Sequence, residues 1–149
     1  DYILNDQYGY DHQYIRNTLQ YNQGINPETG LPVFSEIGML ANVFDTDWSW
    51  TSLFMDFDND GLRDLLITNG FPKDVTDHDF GAFRSGATNM FATYENLKSQ
   101  IPEVKIPNYI FKNNGNLTFS DQSKAWGMNH ASFTNGTAVA DLDNDGDLD

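Results

Sequence analysis

Asp56, Asp58, Asp60 and Asp64 place four carboxylates within the nine residues DFDNDGLRD, with Gly61 among them. Left unneutralised, such charges repel one another by about 1 kcal/mol per close pair even in water. Oxygen donors on alternate residues, with Gly where the backbone turns sharply, predict a loop that holds a hard cation. Calcium fits better than magnesium, which favours a small octahedral site that keeps its water. The stretch recurs at residues 141–149 as DLDNDGDLD, with Asp141, Asp143, Asp145, Asp147 and Asp149. The plain alternative is a solvated Asp/Asn/Gly hairpin, and alternating carboxylates in both copies argue against it.

The elements that hold the loops are β in type. Residues 50–55 enter the first loop as a strand, and residues 65–68 leave it as another, ended by Asn69-Gly70. Residues 137–140 enter the second loop as a strand of small residues. These flanks, with Ile67 at the twelfth position of the loop, exclude an EF-hand, which needs flanking helices and a bidentate Glu there.

The repeat extends upstream. Phe34-Ser35-Glu36 aligns with Phe119-Ser120-Asp121 at the same offset of 85 that separates the loops. Residues 18–24 (TLQYNQG) align with residues 109–115 (YIFKNNG) at an offset of 91, so the first copy carries six extra residues around 25–32. Each copy therefore predicts a hairpin: residues 18–21 and 33–36 around a long turn, then 108–112 and 117–120 around Asn113-Asn114-Gly115-Asn116. Residues 1–16 are polar and Tyr-rich, and a loop or short helix is expected around residues 13–19.

Residues 71–108 interrupt the repeat. Thr76 is the expected N-cap of a helix whose apolar face would carry Phe80, Phe83, Ala87, Met90, Phe91, Tyr94 and Leu97. Gly81 and Ser85-Gly86 split it into two short helices, and Pro102 and Pro107 end the segment. The resulting order is strand, acidic loop, strand, insertion, strand, turn, strand. A four-stranded antiparallel unit of this kind cannot bury both faces alone, so units must stack or close radially as propeller blades do. The predicted fold is all-β: a partial β-propeller with one full blade, the last two strands of a preceding blade, the first strand of the next, and a short helical insertion.

Composition bounds the function. The formal charge is -14, and nine of the 22 acidic residues lie in the two loops, so the acidity is local. Only eight Lys and Arg are present, which excludes the basic face that nucleic-acid binding requires. Aromatics at 14% exclude a disordered acidic tail. With no Cys, stability does not come from disulfides. No signal peptide or membrane-spanning run is visible. The chain stops at the ninth position of the second loop, and reads as an internal fragment of a longer protein.

Residues 136–149 (GTAVADLDNDGDLD) and 52–70 (SLFMDFDNDGLRDLLITNG) resemble the FG-GAP/VCBS repeat of integrin-α-like β-propellers. Residues 108–121 (NYIFKNNGNLTFSD) resemble the outer hairpin of such repeats. The longer pattern of RNTLQYNQG, FSEIGMLANVFDTDWSW, NGFPKDVTDHDF and NYIFKNNG resembles the Bacteroidetes repeat proteins that carry an ASPIC/UnbV domain, relatives of cartilage acidic protein. The resemblance covers nearly all of residues 1–149. It implies a multi-bladed propeller, secreted or on the cell surface (outer membrane or periplasm in a bacterium), with Ca2+ in the blade loops. Carried over by position, the first site comprises Asp56, Asp58, Asp60, Asp64 and the carbonyl of Leu62. The second comprises Asp141, Asp143, Asp145, Asp149 and the carbonyl of Asp147. The ASPIC/UnbV domain is not in these residues.

Other chemistry is weaker. Trp48 and Trp50, beside Asp45 and Asp47, suit either a sugar-binding surface or a gap between blades, and the latter is favoured. Asp77-His78-Asp79 reads as a polar first helical turn rather than a catalytic cluster. No Ser/His/Asp set, G-x-S-x-G or H-E-x-x-H is present. Asn116-Leu117-Thr118 and Asn135-Gly136-Thr137 match glycosylation acceptors by accident of composition. The expected role is therefore non-catalytic, a calcium-bearing propeller segment that binds protein or glycan and packs against further blades. The alternatives are part of a polysaccharide-active enzyme or a purely architectural blade.

Overall fold

The computed structural model describes residues 2–11, 14–86 and 93–144. The chain divides into two units, Asp1–Asp45 and Thr46–Asp149. The first contains helix α1 (Tyr2–Tyr8), the antiparallel hairpin β1 (Gln20–Ile25) and β2 (Pro32–Glu36), and a single helical turn α2 (Gly38–Ala41). The second contains β3 (Ser49–Met55), β4 (Asp64–Asn69), helices α3 (His78–Ser85) and α4 (Tyr94–Ser99), then β5 (Tyr109–Asn113) and β6 (Phe119–Asp121).

Strands β3 to β6 form one antiparallel sheet in chain order, the four-stranded unit that the alternation of strands and turns predicts. Its interior strand explains the pattern of burial. Asp64 to Asn69 are buried at every position, so β4 is covered on both faces: its centre is the apolar Leu65-Leu66-Ile67, and the buried polar residues Asp64, Thr68 and Asn69 lie at its ends. β3, at the edge, alternates instead. Leu65, Leu66 and Ile67 pair with Phe111, Ile110 and Tyr109, and Leu65 with Phe54 on the other side. Met55, Ile110, Phe111 and Phe119 complete the core of the sheet.

The two copies of the repeat share a set of backbone hydrogen bonds around the hairpin and the turn that follows it. Ile37 N donates to Leu19 O, and Gln122 N to Ile110 O, at offsets of 85 and 91. After each hairpin a carboxylate accepts the amide two residues on: Glu36 Oε1 from Gly38 at 2.6 Å, Asp121 Oδ1 from Ser123 at 2.8 Å. A single helical turn follows in both. Ala41 N to Ile37 O is matched by Trp126 N to Gln122 O, and Val43 N to Gly38 O by Met128 N to Ser123 O. Each turn closes on a left-handed residue, Asn42 at φ 62° and Gly127 at φ 83°. The fourth position of each acidic loop is likewise left-handed, Asn59 at 57° and Asn144 at 62°. Asn tolerates this conformation better than most residues with a side chain.

Several expectations are corrected. Strand β1 begins at Gln20 rather than Thr18; of the two alternatives around residues 13–19 the loop is found over residues 14–19, and a helix lies earlier, at Tyr2–Tyr8. Asp77, not Thr76, caps α3, accepting from Phe80 N at 2.7 Å, while Thr76 donates its hydroxyl to Asp74. The single apolar helical face does not form. Phe80 is buried, but Tyr94 is 74% exposed, because Thr93 caps a separate helix and spacing does not carry a face from one helix to the next. Ala87, Met90 and Phe91 lie outside the described residues. Residues 137–140 are irregular rather than a strand. A strand needs a ladder neighbour, and residues 137–140 pair with neither edge of the sheet, β3 or β6, among the described residues.

The helical segment leaves and rejoins the sheet at one point. Phe71 and Val104 exchange both backbone hydrogen bonds at 2.8 Å, and Lys73 pairs with Glu103 beside them. Next to this neck, Gly70 sits at φ 107°, and a Cβ there would lie 2.4 Å from Ser132 O. Both the conformation and the close approach require glycine. Gly70→Ala is expected to destabilise the chain by about 2 kcal/mol or more in chemical denaturation.

Candidate metal centre

The acidic loop joins β3 to β4, with Asp56 following the last residue of β3 and Asp64 opening β4. Its own carboxylates fold it. Asp56 accepts from Asp60 N at 3.1 Å and from Gly61 N at 2.8 Å, and Asp60 Oδ1 accepts from Leu62 N at 2.9 Å. Gly61 at φ 88° and Asn59 make the reversals. The alternation of Asp with turn residues thus has in part a local cause, since Asp56 and Asp60 accept from amides further along the loop.

Asp64 is 0% exposed and ties three segments together. Its Oδ2 accepts from Phe57 N at 3.0 Å within the loop, and its Oδ1 accepts from Asn113 N at 2.8 Å at the end of β5. Asn113 Nδ2 donates in turn to Arg63 O at 3.0 Å.

One carboxylate oxygen from each of Asp56, Asp58 and Asp64 lies within 4.8 Å of the others. Calcium holds oxygens at about 2.4 Å, so its coordination sphere is about 4.8 Å across and can take all three. The donor set of hard, anionic oxygens fits such an ion. Asp60 stands apart from this cluster. Its Oδ2 accepts from Lys112 Nζ at 2.7 Å, and Lys112 also bonds Asp58. These hydrogen bonds, to Asp58 first and then to Asp60, push the Lys112 ammonium above its ordinary pKa. Lys112, followed by the Leu62 amide, holds the Asp60 carboxyl below its own.

Of the residues predicted as ligands in the first loop, Asp56, Asp58 and Asp64 come together, Asp60 faces Lys112, and Leu62 is at the exposed turn. In the second loop Asp141 and Asp143 are exposed, while Asp145, Asp147 and Asp149 lie outside the described residues. Sequence reasoning missed Lys112 and Asn113. No local signal marks them, because β5 arrives beside the loop only through the β4–β5 ladder.

Elsewhere, Trp48 and Trp50 flank Phe71, with ring centroids at 4.8 and 5.6 Å, and Trp50 Nε1 donates to Gly70 O at 2.6 Å. Tyr109 Oη donates to Asp47 at 2.8 Å. Asp77-His78-Asp79 is the cap and first turn of α3.

The family model described as FG-GAP-like repeat matches residues 56–149, from the first Asp of the loop onward and over more than half of the chain. The chain belongs to the FG-GAP-like repeat family. No curated protein and no solved structure matches it significantly. The family match begins at Asp56, so this FG-GAP-like repeat spans the carboxylate cluster, the helical segment, the β5–β6 hairpin and the second loop.

Two outcomes are expected. Asp64→Ala leaves the Phe57 and Asn113 amides without their acceptor and should cost about 2 kcal/mol or more in denaturant unfolding. In chelator, Lys112→Met should lower the melting temperature at neutral pH. Asp60 has a depressed pKa, so its share of the Lys112 pairing is full above its ordinary 3.8 and is lost as pH falls through the lower folded value. Lys112 has a raised pKa, so its share is full below 10.5 and is lost as pH rises through the higher folded value. Melting curves of the two proteins should therefore converge at both extremes.

Proposed function

We propose that the chain is a segment of a calcium-stabilised β-propeller with a binding rather than a catalytic role, outside the cell or at its surface. The observation that carries this is the Asp56–Asp58–Asp64 cluster at the turn between adjacent strands, in a chain of the FG-GAP-like repeat family. Asp56, Asp58, Asp60, Asp64 and the Leu62 carbonyl would hold the first ion. Asp141, Asp143, Asp145, Asp149 and the Asp147 carbonyl would hold the second. The ion neutralises the loop and locks the turn between two strands. An affinity on the order of 10⁻⁴ to 10⁻³ M suits a medium of millimolar calcium.

In this assignment β3 to β6 are one blade, with residues 71–108 as an insertion between its second and third strands. β1 and β2 are the outer strands of a preceding blade. The next begins after residue 134, where Thr134 N donates to Asn69 O and Thr51 Oγ1 to Asn135 O. The narrower kinship with proteins carrying an ASPIC/UnbV domain rests on the motifs at residues 16–24, 34–50, 69–80 and 108–115. Among the described residues no helix is long and apolar enough to cross a membrane. The ligand class proposed is protein or glycan. Trp50, 47% exposed beside Phe71, offers an aromatic face of the kind that stacks on a sugar ring.

Calcium at ten times its Kd should stabilise the folded chain by about 1.4 kcal/mol over chelator. Asp56→Asn and Asp58→Asn should each reduce that gain. Unchanged melting in calcium and chelator, with no metal in elemental analysis, would sink the assignment. Binding on a glycan array distinguishes a glycan receptor from a purely architectural blade, and release of product from polysaccharide would establish an enzyme instead.

A further inference from the structure

Lys112 engages the same carboxylates that a cation would need. Asp58 belongs to the three-oxygen cluster and also bonds Lys112, and Asp60 bonds Lys112 at 2.7 Å. The backbone beneath this lysine is held firmly. Lys112 pairs with Ser120 in the β5–β6 ladder, and the next residue is tied to Asp64 and Arg63. Its side chain is not held in the same way. It is 31% accessible, and its four-carbon stem can swing the ammonium into water. One end of β5 thus stabilises the loop permanently through Asn113, while the neighbouring side chain neutralises it reversibly.

We infer that Lys112 is a built-in counter-ion that competes with calcium for Asp58 and Asp60, so that the ion binds by displacing the ammonium. This rests on the calcium assignment above. An ammonium offers only donors, and its hydrogen bonds to Asp58 and Asp60 occupy oxygens that calcium must coordinate directly. Two cations on one carboxylate pair repel, so occupancy by either disfavours the other. Lys112 has two consequences in this arrangement. It keeps the loop folded and partly neutral when calcium is absent, and it weakens calcium binding by the free energy needed to release it. By linkage, calcium loosens Lys112 by the same factor that Lys112 weakens calcium.

The test is calorimetric titration of calcium into the full chain, with Asp56→Asn as the variant that silences the first loop and isolates its Kd. Lys112→Met should bind calcium at this loop at least about fivefold more tightly than the wild type, the low end of ordinary coupling. It should also melt lower in chelator and gain more from calcium. Lys112→Arg, which keeps the charge, should retain a Kd near the wild-type value. If Lys112→Met does not fold without calcium, Lys112→Gln, uncharged but still a donor, replaces it with the same expected tightening. Equal or weaker calcium binding by the uncharged variants overturns the inference while leaving the calcium site intact. Absence of first-loop binding in wild type and variants alike overturns the calcium assignment, and the inference with it.

Discussion

Asp64 is the residue on which the rest of this structure depends. A buried carboxylate is costly unless its oxygens are met by donors, and Asp64 is met from both sides. The Phe57 amide closes the acidic loop onto it, and the Asn113 amide fastens β5 to the same point. The turn between β3 and β4 and the pairing of β4 with β5 therefore share one electrostatic anchor. The other carboxylates follow from this. Asp56 gathers the loop amides, which brings Asp58 in beside Asp64, and the concentrated charge then requires a cation. Lys112 supplies one from within the chain.

The repeat is visible in hydrogen bonds more clearly than in residue identities. Ala41 and Trp126 share no chemistry, yet each donates its amide four residues back in the turn after a hairpin. Asn42 and Gly127 both adopt the left-handed conformation that ends that turn. What the copies preserve is a backbone path and the acidic side chain that starts it, Glu36 in one and Asp121 in the other. Glu36 is further held by Arg16, whose guanidinium and the Gly38 amide keep its carboxyl below the ordinary range. Asp121 reaches the same turn with help from the Ser123 hydroxyl. Two different side-chain solutions support one geometry.

The helical segment shows where periodicity misleads. Apolar residues at spacings of three and four run from Phe80 to Leu97, and a continuous face is the natural expectation. Two caps, Asp77 and Thr93, divide the segment into two short helices. Only Phe80 is fully buried among the described residues of that series. Capping geometry depends on which side chain can reach a free amide: Asp77 accepts from Phe80 N, while Thr76 is turned to Asp74. The Phe71–Val104 bridge that closes the segment joins residues far apart in sequence, and no local pattern marks it.

Local chemistry determined the acidic loop, its β flanks, the strand order and the offset between copies. All of these follow from side-chain type and short-range spacing: carboxylates that cap nearby amides, Gly and Asn where φ is positive, and apolar runs that must be covered. Tertiary structure alone decided which carboxylates converge and what opposes them. Asp56, Asp58, Asp60 and Asp64 are equivalent in the sequence pattern. In the fold three cluster and one turns to Lys112, because the β4–β5 ladder delivers a lysine beside Asp60 and an amide beside Asp64. That selection is a long-range consequence of strand pairing, which rests on burial of β4 on both faces together with the Asp64–Asn113 anchor.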